Sequence, residues 1–466
     1  MKSMCETLQF HPDSLMKPFT VVASLLLAGV TLPAATLTVL PGEAIQPKID
    51  AAAPGDIVAI FGGTYPDDLV ITKAIRLIET DNQDVTLTGN VTWNNVTNAP
   101  PFEGFTVGSP GKGIIVEGKS YLVVKNVDSS AGFGIRSSGE SSVVVVGGVF
   151  TKILQDGGDL TASRARVTGD FETTANSIKT VAIRMDVGGD YLWKSRYAWC
   201  GYSKGFHFKS YGNNGIVNLI GCEIDARGYV RVGSQSESNY ANSGYYENYT
   251  VDIRGDGNKV LVANNQLLRV AFQYTRHGNQ PFPFIYTDGR GVSIFGANNS
   301  IVANNYIEMI NGGSTNGNVE SFGVIVNSNK SVINNNIIDG PHHSVSAPFG
   351  AQVKSNCFSF AYFSYGVGGH VAEDSITNVD PLFVVGGKPK LQLASPCVNG
   401  GVADALFNDL DGTRNDIGPG GGCLFDPTGW TTDKPVVISF DVGPQQLLRG
   451  VDTEVRLSRG LGVGGR

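Results

Sequence analysis

The ionisable side chains best suited to chemistry are concentrated in one part of the chain. They are Asp252, Arg254, Asp256, Arg269, Arg276, His277, Asp288 and Arg290. Arginine holds a carboxylate through paired hydrogen bonds, and histidine gains or loses a proton near neutral pH. The stretch from Leu268 to Gly291 is long for a connection between short strands, and long loops in compact repeats are usually functional or disordered. We therefore expect a catalytic site here, with solvated loop charges as the alternative interpretation.

Aromatic and basic residues are enriched just upstream, in residues 191–211. Aromatic rings stack on the apolar faces of sugar rings, and cations beside them hold uronate carboxylates. The residues predicted to bind such an acidic glycan are Trp193, Tyr197, Trp199, Lys209 and Arg254. The alternative is that the aromatic side chains of this segment only pack on the outside of the fold.

Two groups of aspartates could act through their carboxylates. Hydrolysis of a glycosidic bond needs carboxylates that converge on one face, and the available grouping is Asp252, Asp256 and Asp288. The second group, with the alternating spacing of a calcium loop, is Asp409, Asp411 and Asp416. The glutamate that completes such a loop is missing, so Ca²⁺ binding competes with a structural role in which these aspartates accept backbone amides in turns.

A short sequence motif, which we call the repeated phrase, occurs three times and predicts the elements that must position these residues. It spans residues 258–268, 299–307 and 329–338, and each copy joins a β-branched run, an asparagine pair and a second apolar run. β-Branched residues favour strands, and asparagine tolerates the left-handed backbone of a sharp corner. One such unit cannot bury its own apolar face, so the copies must stack as a solenoid of parallel strands. Asparagines at one corner of successive coils can then bond to each other as a ladder.

The beginning of the chain carries two further signals. Residues 16–35 have a basic start, a short apolar core and small residues, which predicts a secretory signal within a leader of residues 1–35. Ile45, Ile49 and Ala52 follow at helical spacing and predict a short helix that caps the first coil. Solenoids need such caps because the terminal coil exposes apolar core and an unpaired strand edge.

Export would permit disulfides. Cys200 and Cys222 are about one coil apart and could lie over each other, whereas Cys397 and Cys423 bracket one C-terminal motif. Cys357 is then left as the spare cysteine, although spacing alone does not fix the connectivity.

Composition narrows the class of partner. The formal net charge of −7 and the pI near 5.4 give no basic patch of the kind that holds nucleic acid. The apolar core of the leader is too short to span a bilayer, so no transmembrane span is predicted. We expect a monomer.

The repeated phrase resembles the PbH1 repeat of right-handed parallel β-helix proteins, which have the pectin-lyase-like fold. The opening "AIQPKIDAAAPGDIVAIFGGTYPDDLVITKAIRL" resembles the start of many secreted bacterial proteins of this fold. "VDPLF", "LQLASPCVNGG" and "DLDGTRNDIGPGGG", within residues 378–422, closely resemble the closing segment of the choice-of-anchor Q type. The resemblance implies an all-β, right-handed, single-stranded parallel β-helix over residues 36–377. A closing segment over 378–426 and a short β appendage with a disordered tail over 427–466 would follow.

The resemblance also implies a chemistry. In polysaccharide lyases of this fold, an arginine or lysine takes the proton beside a uronate carboxylate, and a cation or second basic group stabilises the enolate. Arg276 or Arg290 would take the first part, and His277 the second part or the role of acid. We expect a secreted or cell-surface bacterial protein that binds extracellular acidic polysaccharide or cleaves it, by elimination rather than hydrolysis. The alternative is a structural or adhesive surface protein without catalysis.

Overall fold

The chain folds into a parallel β-solenoid, as the repeated phrase predicts. The computed structural model describes residues 33–81, 83–226, 244–276, 284–311, 321–340, 343–359, 372–385 and 389–422. Each coil in these ranges supplies strands to faces that we name face 1, face 2 and face 3 in the order in which the chain meets them. The described ranges contain about 13 coils, and the predicted all-β parallel solenoid is confirmed.

Neighbouring strands within each face pair in parallel, except Arg76–Glu79 and Phe102–Glu103, which belong to separate sheets. The register shifts between Gly158 and Asp159 on face 1 and between Leu267 and Val270 on face 2. The strands of face 1 are Thr36–Val39, Ile57–Ile60, Arg76–Glu79, Phe102–Glu103, Tyr121–Lys125, Ser142–Val146, Gly158–Ser163, Ser177–Ile183, Tyr197–Gly201, Ile216–Ile220, Lys259–Ala263, Asn299–Ala303, Val332–Asn334 and Gln352–Lys354. Those of face 2 are Gly63–Tyr65, Val85–Leu87, Thr106–Val107, Asp128–Ser129, Val149–Phe150, Arg166–Val167, Asp186–Val187, Lys204–Gly205, Glu223–Asp225, Gln266–Arg276, Tyr306–Asn311, Ile337–Asp339, Cys357–Ser359 and Ile376–Thr377. Those of face 3 are Leu69–Ile71, Val91–Asn94, Ile114–Glu117, Ile135–Ser138, Ile153–Asp156, Phe171–Thr173, Tyr191–Trp193, Phe208–Ser210, Gly244–Arg254, Phe284–Phe295, Ser321–Val326 and His343–Ser346.

The core lies inside the three faces and is built from columns of inward side chains. Side chains alternate between the two sides of a strand, so each strand gives every second residue to the interior. Parallel register then places equivalent residues over one another. One such column on face 1 is Val124, Val145, Ala162, Ala182, Cys200, Leu219, Val262, Val302, Ile333 and Val353, all of them buried.

The corner after face 1 takes a left-handed residue in coil after coil. Asparagine occupies it in the repeated phrase, with φ of 56° at Asn264, 54° at Asn304 and 57° at Asn335. Earlier coils place Arg164, Arg184 and Tyr202 in the same conformation. A side chain other than glycine or asparagine in this region costs roughly 1–2 kcal/mol. The stack therefore imposes the corner geometry even where the local sequence does not favour it.

The second asparagine of each pair forms the predicted ladder. Asn265, Asn305, Asn336 and Asn356 are fully buried on successive coils. The side-chain amide of each donates to the side-chain oxygen of the next, at 2.9, 2.9 and 3.0 Å. Each of the last three also donates to a backbone carbonyl of the preceding coil, at 2.9 Å. The ladder therefore satisfies polar groups that the core would otherwise leave unpaired.

The predicted N-terminal helix is present and covers the first strand of face 3. The helix Gln46–Ala51 is short, and its Gln46 amide donates to the carbonyl of Val70 at 3.1 Å and accepts its N–H at 2.8 Å. The side chain thus replaces the neighbouring strand that Leu69–Ile71 lacks on this side. The apolar contacts of the cap are those predicted, through Ile45, Ile49 and Ala52.

The closing segment lies along the outside of the asparagine corner. The amide of Asn264 donates to the carbonyl of Gly421 at 2.6 Å, and that of Asn304 donates to the carbonyl of Asp416 at 2.8 Å. One coil further on, the side-chain oxygen of Asn335 accepts the N–H of Val402 at 2.9 Å. Beneath the segment lies a second apolar core made by Tyr306, Ile337, Cys357, Cys397 and Ile417.

Several predictions fall on residues outside the described ranges. These are residues 1–32 of the predicted leader 1–35, Cys423 and the β appendage over 427–466. Of the helices in the described ranges, none is long and apolar enough to cross a membrane.

Replacing a ladder asparagine should destabilise the solenoid more than replacing an exposed one. Asn305→Ala removes the partner of two buried amides, and each buried group left unpaired costs roughly 1–3 kcal/mol. We expect a clear drop in the urea midpoint, measured by circular dichroism. Asn329→Ala, at an exposed position, is the matched control and should stay near the wild-type midpoint. Equal midpoints for the two variants would show that the ladder does not contribute to stability.

Candidate functional site

The stretch that the sequence assigns to a catalytic loop is mostly strand. Gln266–Arg276 and Phe284–Phe295 extend beyond the solenoid wall and pair antiparallel, with Arg276 opposite Phe284. The loop prediction is therefore wrong, because β-branched and aromatic residues on both sides favour strand. The backbone of Arg276 and that of Asp288 lie in these two strands, whereas His277 lies outside the described residues.

Face 3 brings together three of the predicted site residues. Lys209 is the register partner of Asp252, and Arg254 lies two residues further along the same strand. Arg290 stands on the next coil, opposite Tyr249. We call the surrounding group the face 3 cluster, and its members are Asp190, His207, Lys209, Tyr211, Tyr249, Asp252, Arg254, Arg290, Phe322 and His343.

Asp252 lies at the centre of the cluster although its strand position points outward. It is fully buried beneath Tyr211, whose hydroxyl donates to it at 2.9 Å, and the Nε of Arg254 donates to it at 3.0 Å. Burial raises the pKa of Tyr211, and the charge of Asp252 raises it further, so this phenol stays protonated. Burial alone would lower the pKa of Arg254, but the hydrogen bond to Asp252, the charge of Asp252 and the nearby Tyr249 and Tyr211 together raise it.

A row of aromatic and cationic side chains runs along the same face from coil to coil. Tyr249, Arg290, Phe322 and His343 are register partners on four successive coils. The guanidinium of Arg290 lies 4.8 Å from the ring centre of Tyr249 and 5.9 Å from that of Phe322. Phe322 and His343 stack with ring centres 4.9 Å apart, and Arg254 lies 5.1 Å from the ring centre of Tyr249. Cation–π contacts of this kind hold both guanidinium groups in place.

One end of the cluster contains a histidine–carboxylate pair that sequence reasoning missed. The Nδ1 of His207 lies 2.8 Å from Asp190, and the ammonium of Lys209 lies 4.0 Å from the other oxygen of that carboxylate. Both members of the pair are buried. With Nδ1–H donating to Asp190, the Nε2 of His207 is an acceptor, and it has no hydrogen-bond partner in the described part of the chain.

The aromatic residues predicted to bind a glycan do not lie on the outer surface of face 3. Trp193 is fully buried and packs against Phe171 and Phe208, so its predicted role in binding substrate is wrong. The alternation of its strand directs Trp193 into the core. Tyr197 and Trp199 project outward on face 1, away from Lys209, Arg254 and Arg290.

The C-terminal aspartates hold backbone turns rather than a shared ligand site. Asp409 accepts the N–H of Asp416 at 3.2 Å, Asp411 accepts that of Thr413 at 2.9 Å, and Asp416 accepts that of Asn399 at 2.7 Å. Across the described ranges, no three acidic, histidine or cysteine side chains are grouped to hold a metal ion. These hydrogen bonds are those of the alternative to Ca²⁺ binding, in which the aspartates accept backbone amides in turns. Of the three aspartates predicted to converge for hydrolysis, Asp252 is buried and Asp256 lies on an exposed turn, and the side chain of Asp288 lies outside the described part of the chain.

An open cleft of about 520 Å³ separates face 2 from the closing segment. Both of its cations are already paired, since Lys204 lies 3.2 Å from Glu223 and Arg269 bonds to Asp225. The face 3 cluster offers three cationic groups on successive coils, and we take it as the candidate site.

Asp252→Ala should destabilise the protein and loosen the cluster. The change removes hydrogen bonds from Tyr211 and Arg254 to a buried charge, and bonds of that kind contribute about 1.5–3 kcal/mol each. The measurement is the urea midpoint. Asp256→Ala, on an exposed turn nearby, should change the free energy of unfolding by less than about 0.5 kcal/mol. A midpoint for Asp252→Ala equal to that of the control would contradict the central position of Asp252.

Comparison with known proteins yields no relative: the chain matches no protein-family model, no curated protein and no solved structure. The fold and the geometry of the face 3 cluster are therefore the basis for a functional proposal.

Proposed function

We propose that the outer surface of face 3 binds an acidic extracellular polysaccharide through Lys209, Arg254 and Arg290. The observation that carries the proposal is the register of the cluster, in which cations and aromatic rings recur on successive coils. Adjacent strands are about 4.8 Å apart, so a linear polymer lying along the solenoid axis meets Lys209, Arg254 and Arg290 on three successive coils.

The guanidinium groups are held before any ligand arrives. Arg290 is placed between Tyr249 and Phe322, and Arg254 is fixed by Asp252 and Tyr249. A planar guanidinium in a fixed position loses little freedom when it pairs with a carboxylate, which favours recognition of uronate groups. The net charge of −7 opposes a long-range attraction for polyanions, so the proposed binding depends on this local cluster.

The Asp190–His207 pair favours a second candidate function, the cleavage of the bound polymer by elimination. Elimination needs a base for the proton beside the uronate carboxylate and a cation that stabilises the resulting enolate. The Nε2 of His207 is the candidate for the first part, because Asp190 orients the ring through Nδ1; this buried nitrogen must become exposed before it can reach the polymer. Lys209, close to the same carboxylate, is suited to the second. A structural or adhesive surface protein would use the coils without either activity.

Removing the fixed cations should abolish tight binding to acidic glycans. The double variant Arg254→Gln and Arg290→Gln should raise the Kd for polygalacturonate or alginate at least about tenfold, because charge-assisted hydrogen bonds contribute 1.5–3 kcal/mol each. Titration calorimetry at two salt concentrations measures the effect. Lys119→Gln, an exposed cation paired with Glu140, is the control and should bind like the wild type. Failure of the wild type to bind either polymer, or equal binding of a neutral glucan, would overturn the proposal.

The elimination hypothesis has its own test. The unsaturated product of uronate elimination absorbs in the ultraviolet, and its appearance with the wild-type protein would establish the activity. His207→Gln can still donate to Asp190 but offers no base, so the elimination rate should fall by about 10²–10⁴-fold with binding retained. Full activity in this variant would exclude His207 as the base. Binding without any product from the wild type would limit the function to recognition.

A further inference from the structure

Two cysteines from distant parts of the chain lie against each other beneath the closing segment. Cys357 belongs to the face 2 strand Cys357–Ser359, and Cys397 belongs to the closing segment. Both are fully buried in the second apolar core, and each thiol is close enough to the other to shift its pKa. This position differs from the sequence expectation, in which Cys357 was the spare and Cys397 paired with Cys423.

The backbone on both sides of the pair is fixed. The N–H of Cys357 donates to the carbonyl of Asn336 on the preceding coil at 2.8 Å. The carbonyl of Cys397 accepts the N–H of Ile417 at 2.9 Å, and its N–H donates to the hydroxyl of Ser395 at 3.1 Å. Each cysteine is therefore held by its own segment, and the two thiols meet where those segments touch.

We propose that Cys357 and Cys397 form a disulfide bond that fastens the closing segment to face 2. The oxidant is a disulfide, either of a small thiol such as glutathione or of an oxidoreductase. The thiolate of Cys397 attacks it, which forms a mixed disulfide and releases one thiolate. The thiolate of Cys357 then attacks the mixed disulfide and releases the second. Two cysteine thiols are oxidised, one external disulfide is reduced to two thiols, and the two protons lost by the cysteines are taken up by the released thiolates.

The burial of the sulfurs sets the timing of the reaction. In the docked state the Cys357 thiol lowers the pKa of the Cys397 thiol, but the first attack precedes docking and does not depend on this contact. Burial of both sulfurs in the docked state indicates that the exchange takes place while the closing segment docks, before the second core closes. Once formed, the bond lies away from solvent and from reducing thiols.

A second pair provides a comparison inside the same molecule. The sulfurs of Cys200 and Cys222 lie 3.7 Å apart in the main core, on coils that the strand ladders already hold together. A bond there would join neighbours, whereas a bond between Cys357 and Cys397 joins the solenoid to a segment that packs on it from outside. A bond between Cys357 and Cys397 would therefore restrict the chain more than a bond between Cys200 and Cys222.

The test is a disulfide map of the full chain after refolding with oxidised and reduced glutathione. Free thiols are alkylated, the protein is digested without reductant, and the peptides are identified by mass spectrometry. We expect one linked pair of peptides that contains Cys357 and Cys397 and separates on reduction. Recovery of both cysteines as alkylated thiols would overturn the proposal, as would a link from either of them to Cys423.

Limited proteolysis tests what the bond does. Wild-type protein refolded with excess reductant should be cleaved within the closing segment at least about tenfold faster than oxidised wild type. Cys397→Ala should be cleaved as fast as the reduced wild type under either condition. Cys222→Ala is the matched control and should keep the dependence on reductant. An unchanged cleavage rate after reduction of the mapped bond would refute its role as a fastening. The map of the wild-type chain stands even if the Cys397 variant does not fold.

Discussion

The coils that carry the asparagine ladder depend on one constraint: an amide that turns inward at the corner after face 1 must find a partner on the neighbouring coil. Asn265, Asn305, Asn336 and Asn356 meet it by bonding to each other and to the preceding backbone. A side chain of another length at one of these positions would break two links at once. The register of all three faces follows, because a coil that satisfies the ladder has its strands at fixed heights on the stack.

That register decides which side chains can act together. Residues far apart in sequence become neighbours when they occupy equivalent positions on adjacent coils, as Tyr249, Arg290 and Phe322 do. The same alternation that fills the core with Trp193 leaves Lys209 outside. A solenoid therefore presents surface chemistry in rows, and each row can be altered without disturbing the core behind it.

The sequence was sufficient for the fold but not for the site. The asparagine phrases and the spacing of Ile45, Ile49 and Ala52 identify stacked coils and their cap, because both patterns report local geometry. The sequence does not reveal the number of residues in each coil, and this number decides which surface side chains become neighbours. Phe171, Tyr191, Phe208 and Val251 are consecutive partners on face 3, so the last coil of this series is more than twice as long as those before it. Without those lengths, Asp190 and His207 cannot be paired, and no short motif marks them.

The cap of the first coil has a consequence beyond stability. Strand Leu69–Ile71 would otherwise offer unpaired N–H and C=O groups, and Gln46 occupies those of Val70 with one side-chain amide. An open edge of this kind is a template for another chain, and stacked parallel strands are also the geometry of fibrils. One glutamine thus closes a strand edge on which copies of the protein could otherwise polymerise end to end.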